Sequence, residues 1–379
     1  MSSGRGGRGR RPGVAALLPG LPQLLRGQRL AGFSLMALGL SMLAVLAFGF
    51  DRVLATFTAG RVDRWIALLT LVAALVAAWW LSAVWAGGRR ADAVGGASGW
   101  AIAWREFKKN RPAVLGLYLM VALYLVTLLA PYLTSYDPTE IVDDILSVRH
   151  LGPSPDHLMG TDKYGRDVYT RILYGARISL SIGFIAVAIS ITLGTLVGAV
   201  SGYFGGVVDT VLMRFVDTLI SFPRLVLLIT VIALFEQPSI LIVVTVLGLT
   251  LWPSTARIVR SEVLSLRERE FIEAARALGL GSPRIILRHI IPNVLGPVIV
   301  AATLGLGNII LIEAGLSFLG LSVRPPTPSW GVIINDGREF LLEAWWVSTF
   351  PGLAIVFTVV AFNLIGDGLR DALDPRLRM

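Results

Sequence analysis

The sequence predicts an all-α, polytopic membrane protein, and three observations carry that reading. Of the 379 residues, 55% are hydrophobic and 16% charged, with a mean hydropathy of +0.72, a balance that argues against an ordinary soluble enzyme. Charge-free windows long enough to cross a bilayer recur along the chain. The basic residues behind the formal charge of +9 gather in alternate short connections, as in retained cytoplasmic loops, so no nucleic-acid surface is expected. There is no Cys, and the three His are scattered, so disulfides, thiolate nucleophiles and an obvious metal site are not expected either.

A helix needs roughly 20 apolar residues to span about 30 Å of hydrocarbon. Windows of at least that length lie at residues 30–50, 65–88, 112–136, 178–208, 237–256, 290–312 and 344–366. An eighth span is expected over 208–235, apolar apart from Asp209, Arg214, Asp217 and Arg224, with Glu236, Gln237 and Pro238 turning the chain afterwards. Eight spans put both termini on one side. The first 29 residues carry six Arg and no acid, residues 89–111 six bases and two acids, and residues 257–289 seven Arg and four Glu. These three stretches are assigned to the cytoplasm by the positive-inside rule. Residues 137–177, with seven acids and five bases, and 324–343, with three and two, face the other side. The Arg-rich start is read as a cytosolic tail rather than a cleavable signal, because Pro12 and Pro19 interrupt its short apolar run.

The Gly/Ala/Ser-rich stretch 87–99 divides the chain near residue 100. Residues 1–100 hold the basic tail and a two-span hairpin; Pro19-Gly20-Leu21 resembles the opening of small two-helix membrane modules, which suggests no activity. Residues 101–379 hold six spans. Within them, Pro223, in Ile220-Ser-Phe-Pro-Arg224, is expected to bend or break its helix and bare backbone to a pathway, whereas Pro351 sits near a span's start, where it is harmless.

The most informative stretch, 268–292, reads as two short cytoplasmic helices joined by a Gly turn. Glu273 lies early in the first helix, where its charge suits the dipole, and Ala274, Ala275 and Ala277 keep one face thin. Gly279 and Gly281 permit the turn; Ser282 is placed to cap the second helix, with Pro283 at its first position. Arg284 and Arg288, one turn apart, give a basic face, and Pro292 marks the return to the membrane. Such a pair suits docking into a soluble partner and passing its motion to the flanking spans.

The order Glu273-Ala-Ala, Gly279, then Ile290-Ile291-Pro292 resembles the signature of permease subunits of bacterial ABC importers. Arg288-His289-Ile290-Ile291-Pro292-Asn293 is similar to its dipeptide and oligopeptide branch. Gly160-Thr161-Asp162 with Gly165-Arg166-Asp167, Leu316-Ser-Phe-Leu-Gly-Leu321 with Pro328-Ser-Trp-Gly331, and Asn363 to Arg376 resemble the same branch, so residues 101–379 look like a C-type permease of peptide-class importers. The resemblance implies a six-helix type I importer core preceded by the extra two-helix transmembrane hairpin, set in a bacterial plasma membrane. It implies a B-type permease partner, two cytosolic ATPases that hold ATP and Mg, and an external solute-binding protein. This chain is then non-catalytic; it has no Gly-Lys of a phosphate cradle. Glu273, Ala274, Ala275, Arg276, Gly279, Arg284, Arg288 and Pro292 become the ATPase-coupling candidates. Nickel and glutathione systems share these motifs.

Charges within spans are costly and mark either function or packing. Arg214 and Asp217, three apart on one face, form an ion pair or touch solute, and Asp367 with Arg370 reads alike. Glu313 lines the pathway or makes a packing hydrogen bond. A proton-coupled carrier, with Glu313 and the Arg214/Asp217 pair as relay, is the alternative function; a scaffold without transport is a third. Gly160 to Asp167 lacks the alternating ligands of a calcium loop and reads as a capped turn opening an interfacial helix from Asp167 towards Arg177. Trp330, Trp345 and Trp346 are expected as interfacial anchors, and His150 and His157 as plain loop residues.

Overall fold

In hydrocarbon every backbone donor and acceptor has to be satisfied within the protein, which leaves helices as the economical way to carry this sequence across. The computed structural model describes residues 99–142, 144–235, 239–322 and 325–373; the spans predicted at 30–50 and 65–88, the basic tail and the turn at 236–238 lie outside these.

The described chain opens with α1 (Gly99–Lys109), whose Ala103 and Phe107 are buried against Ala113 and Ala372. Asn110 accepts the Ala113 N–H at 3.2 Å and caps α2 (Arg111–Leu128), with Pro112 in its first turn. Two single turns, α3 (Ala130–Leu133) and α4 (Ile145–Val148), lie in the connection that follows. Then come α5 (Val168–Phe204), α6 (Gly206–Ser221), α7 (Arg224–Ala233) and α8 (Ile240–Leu266). The helix pair is α9 (Glu270–Ala277) and α10 (Ser282–Ile285); a π-helical turn, Ile286–Ile290, runs on into α11 (Ile291–Phe318). Finally α12 (Trp330–Gly337) leads to α13 (Trp345–Leu373).

Among the described residues, five helical stretches are long and apolar enough to cross a membrane, and the α6–α7 pair makes a sixth if counted as one bent span. Each of the six core windows therefore holds a helix, with shifted ends. The largest shift is in α5: the expected interfacial helix is continuous with its span, because Asp167 caps a single helix by accepting the Thr170 N–H at 2.7 Å and nothing breaks it afterwards. At 37 residues and 1.5 Å each, α5 is about 55 Å long and exceeds the hydrocarbon layer. Pro351 lies in the second turn of α13 rather than at its start, since that helix begins at Trp345.

Close approach of backbones holds the bundle, because lipid offers no hydrophobic gain for bringing apolar helices together. The α5 and α8 faces pack most extensively. A methyl group on Gly194, Gly198 or Gly202 of α5 would run into Thr255, the Ala256 carbonyl or Val263 of α8, so glycine at this four-residue spacing sets the distance. α13 packs against α2 and α11, and α12 packs between α11 and α13.

Candidate functional site

The stretch 268–292 forms the predicted helix pair with one correction at its second start. Gly279 has φ +73° and ends α9 with a paired motif: its N–H donates to Arg276 O at 2.9 Å, and Leu280 N–H donates to Ala275 O at 3.2 Å. The N-cap of α10 is Gly281, without a side-chain cap bond, and Ser282 is already inside the helix. Pro283, lacking an N–H, is harmless in this first turn. No loop separates α10 from the membrane: α10, the π turn and α11 run as one helix from Ser282 to Phe318.

Ile272, Ala275, Ile285, Ile286 and Ile290 are buried and root the pair in the chain. Glu273, Ala274, Arg276, Gly279, Arg284, Arg288 and Pro292 are exposed. Ala275 thus turns inward, and Ala274 with Ala277 supplies the thin outer face. Phe271, Leu278 and Leu287 are exposed beside these charges, which gives the surface an apolar component that the reading of charges alone missed. Arg276 also lies over the Tyr203 ring at 5.0 Å, so this side chain braces α9 on the end of α5.

Pro223 breaks the eighth predicted span as expected. Phe222 before it takes an extended conformation, and α6 and α7 meet at 84°. Arg214, Asp217 and Pro223 all lie exposed on this elbow. The expected Arg214–Asp217 ion pair does not form; Asp217 instead meets Arg257 of α8 at 2.5 Å. A long Arg reaching from a packed neighbour competes well with an i,i+3 partner whose attraction in isolation is only about 0.2–0.5 kcal/mol. Asp367 and Arg370 likewise form no ion pair among the described residues. Asp209, which sequence reading treated as a blemish in a span, pairs with Arg260 through two 2.5 Å contacts.

Glu313 is fully buried. It accepts from Ser179 Oγ of α5 at 3.2 Å, from Ser317 Oγ at 2.8 Å and from Ser322 Oγ at 3.4 Å, and Ser179 Oγ in turn accepts the Trp330 N–H. The carboxylate joins α5, α11 and the start of α12.

At the acidic-loop end of α5 the structure assembles charges from distant sequence. Asp162 accepts from Tyr164 N, Arg166 N and Arg166 Nε at 2.8, 3.0 and 2.7 Å, and pairs with Arg171 Nη1. Asp336 of α12 receives Arg166 Nη2 and Arg171 Nη1, both at 3.1 Å, and Lys163 Nζ at 3.2 Å. Asp162 and Arg171 are fully buried. Two tryptophans expected as interfacial anchors belong to this packing instead: Trp330 is buried and donates Nε1–H to Ile172 O at 3.1 Å, and Trp346 donates to Thr161 O at 3.2 Å. Their N–H groups find carbonyls inside the protein, which removes the reason to seek headgroups. Trp345, half exposed, remains available as an anchor. His157 is more than a loop residue, since its Nδ1 lies 3.0 Å from Asp167, the cap of α5.

Membrane-length helices, a bent apolar pair and an exposed charged helix pair fused to a span define a polytopic helical membrane protein. Residues 178–379 match the family described as the binding-protein-dependent transport system inner membrane component, and residues 98–153 match the N-terminal TM domain of oligopeptide transport permease C. The chain belongs to this family of ABC importer permeases. It is 44% identical over 281 residues to the dipeptide transport system permease protein DppC of Alkalihalophilus pseudofirmus, covering 74% of this chain and 91% of that one. The DppC of Haemophilus influenzae is 41% identical over 278 residues, covering 73% and 94%. That of Escherichia coli K12 is 44% identical over 278 residues, covering 73% and 92%.

Proposed function

We propose that this permease imports short peptides as one half of a membrane channel, paired with a B-type permease and driven by two cytosolic ATPases that bind ATP and Mg. An external binding protein delivers the solute. The chain itself carries out no covalent chemistry and needs no cofactor of its own. The basic connections, including 257–289, face the cytoplasm of a bacterial plasma membrane, and the acidic 137–177 connection faces outward. The observation that carries this reading is the exposed helix pair 270–290, rooted by buried Ile and Ala and continuous with α11. A push on Glu273, Ala274, Arg284 or Arg288 has a rigid lever into the bilayer, as an outward-to-inward switch requires. The relatives named for dipeptide transport support the solute class over nickel or glutathione.

The test is to tag the chain, extract it in mild detergent from its native membrane and identify what co-purifies by mass spectrometry. A second permease together with P-loop ATPases is expected. A chain that purifies alone, and whose peptide uptake collapses with the pH gradient while ATP is preserved, would establish the proton-coupled carrier instead.

The elbow gives a second expectation. Pro223→Ala restores a helix donor and relieves Phe222 of its extended restraint, a swing worth up to about 3 kcal/mol towards a continuous helix. Dipeptide uptake should fall several-fold at equal membrane level; unchanged uptake would remove the elbow from the transport cycle.

A further inference from the structure

We infer that the Asp209–Arg260 pair is the link by which movement of the α9–α10 helices reaches the bent α6–α7 segment, so that Asp209 and Arg260 are positioning residues for transport. This rests on the reading of α9–α10 as the ATPase-coupling element.

The geometry is specific. Arg260 donates Nε–H to Asp209 Oδ1 and Nη2–H to Oδ2, both at 2.5 Å, a two-pronged contact that fixes direction as well as distance. Ser201 Oγ donates to the same Asp209 Oδ1 at 2.5 Å, which ties the carboxylate to the end of α5. Asp217 is held by Arg257, three residues before Arg260, so one turn of α8 grips α6 at two points. That turn lies less than two helical turns from the end of α8 at Leu266, and α9 begins at Glu270. Arg267, between them, donates to Gly202 O at 3.3 Å, and Arg276 of α9 covers Tyr203. The end of α8, the last turn of α9 and the α5–α6 junction therefore form one braced unit.

What makes the ion pairs matter is how little else holds α6. Of its described residues Val216 alone is fully buried, in a small cluster with Trp252 and Ala256 against which half-buried Met213 and Leu219 of α6 also pack. Its Val207 and Val211 are exposed, and Phe215, also exposed, stacks on Trp252 at 6.2 Å. A helix with so thin an apolar footing follows its polar tethers. Partly exposed pairs contribute modestly to stability, so a rigid two-pronged contact here is better suited to transmitting position than to holding the fold.

The experiment uses the whole importer reconstituted in proteoliposomes, with purified binding protein and a labelled dipeptide, and reads ATP hydrolysed per dipeptide accumulated. Asp209→Asn keeps shape and one acceptor but loses the charge; Arg260→Lys keeps the charge but loses the fork. The ratio should rise at least about 5-fold in both, the low end of energetic coupling between sites, while the ATPases still co-purify. A structural role would reduce assembly, hydrolysis and uptake together and leave the ratio unchanged; that result in an assembled variant overturns the inference. If Asp209→Asn does not assemble, Arg260→Lys decides by the same ratio. Failure of ATPases to co-purify with the unaltered chain would sink the coupling reading itself, a distinguishable outcome.

Discussion

Gly279→Asp is expected to cut the ATPase recovered with this chain about tenfold and peptide uptake with it, while Gly279→Asn remains close to the unaltered protein. Gly279 sits at φ +73°, where a side chain costs about 1–2 kcal/mol, and about 1.4 kcal/mol is a factor of ten. No heavy atom lies within 4 Å of the position a Cβ would take, so steric collision plays no part; the penalty is backbone strain plus a carboxylate placed at the negative end of the α9 dipole, the part that Asn lacks. Asn tolerates this conformation better than other side chains and frequently ends helices, which makes it the control. The strain acts on the turn that fixes α10 relative to α9, where the Gly279 and Leu280 N–H groups close the end of α9. Glu273→Lys in the same chain adds a reversed charge in the first turn of α9 on the exposed face, and the double variant should lose the ATPases entirely. Co-purification from tagged membranes measures both. A Gly279→Asp chain with full ATPase recovery and uptake would show that the turn is not part of the docking surface.

The second large effect is on stability. Asp162→Ala leaves Arg166 and Arg171, 3% and 0% exposed, without their main carboxylate, and breaking one side of a buried pair costs about 3–5 kcal/mol. Folded domains hold only about 5–15 kcal/mol in total, so this single change approaches the margin. The thermal midpoint in detergent, followed by fluorescence-detected size exclusion, should drop on the order of 10 °C. Glu106→Ala, which removes the exposed Lys109–Glu106 pair at 2.7 Å, is the comparison, with an expected cost of about 0–1 kcal/mol. Asp336→Asn should fall between them, because Asp336 lies at the rim of the cluster, where Lys163 is partly exposed. Equal midpoints for Asp162→Ala and Glu106→Ala would mean that water compensates the buried arginines.

The helix pair at 268–292 was largely legible in the chain because its signals are local. Helix dipole, Gly turn and Pro start act within a few residues, so Glu273, Gly279 and Pro283 could be read in place. What that reading missed was inward or outward sense: Ala275 and Ala274 are adjacent and identical, yet Ile272 and Ala275 face the chain while Ala274 is free. Pro223 was legible for the same local reason, since a missing N–H and a restricted preceding residue break a helix whatever surrounds it.

The six spans of residues 101–379, the break at Pro223 and the helix pair were determined by sequence alone, because apolar length, backbone donors and φ restrictions belong to single residues and short runs. Partners were decided by tertiary structure. Asp217 takes Arg257 rather than Arg214, Asp209 takes Arg260, Asp162 and Asp336 share two arginines, and Trp330 and Trp346 turn inward. Each of these depends on which helix lies alongside, and a charge buried far from water binds whichever opposite charge the packing brings within reach, across however many residues separate them.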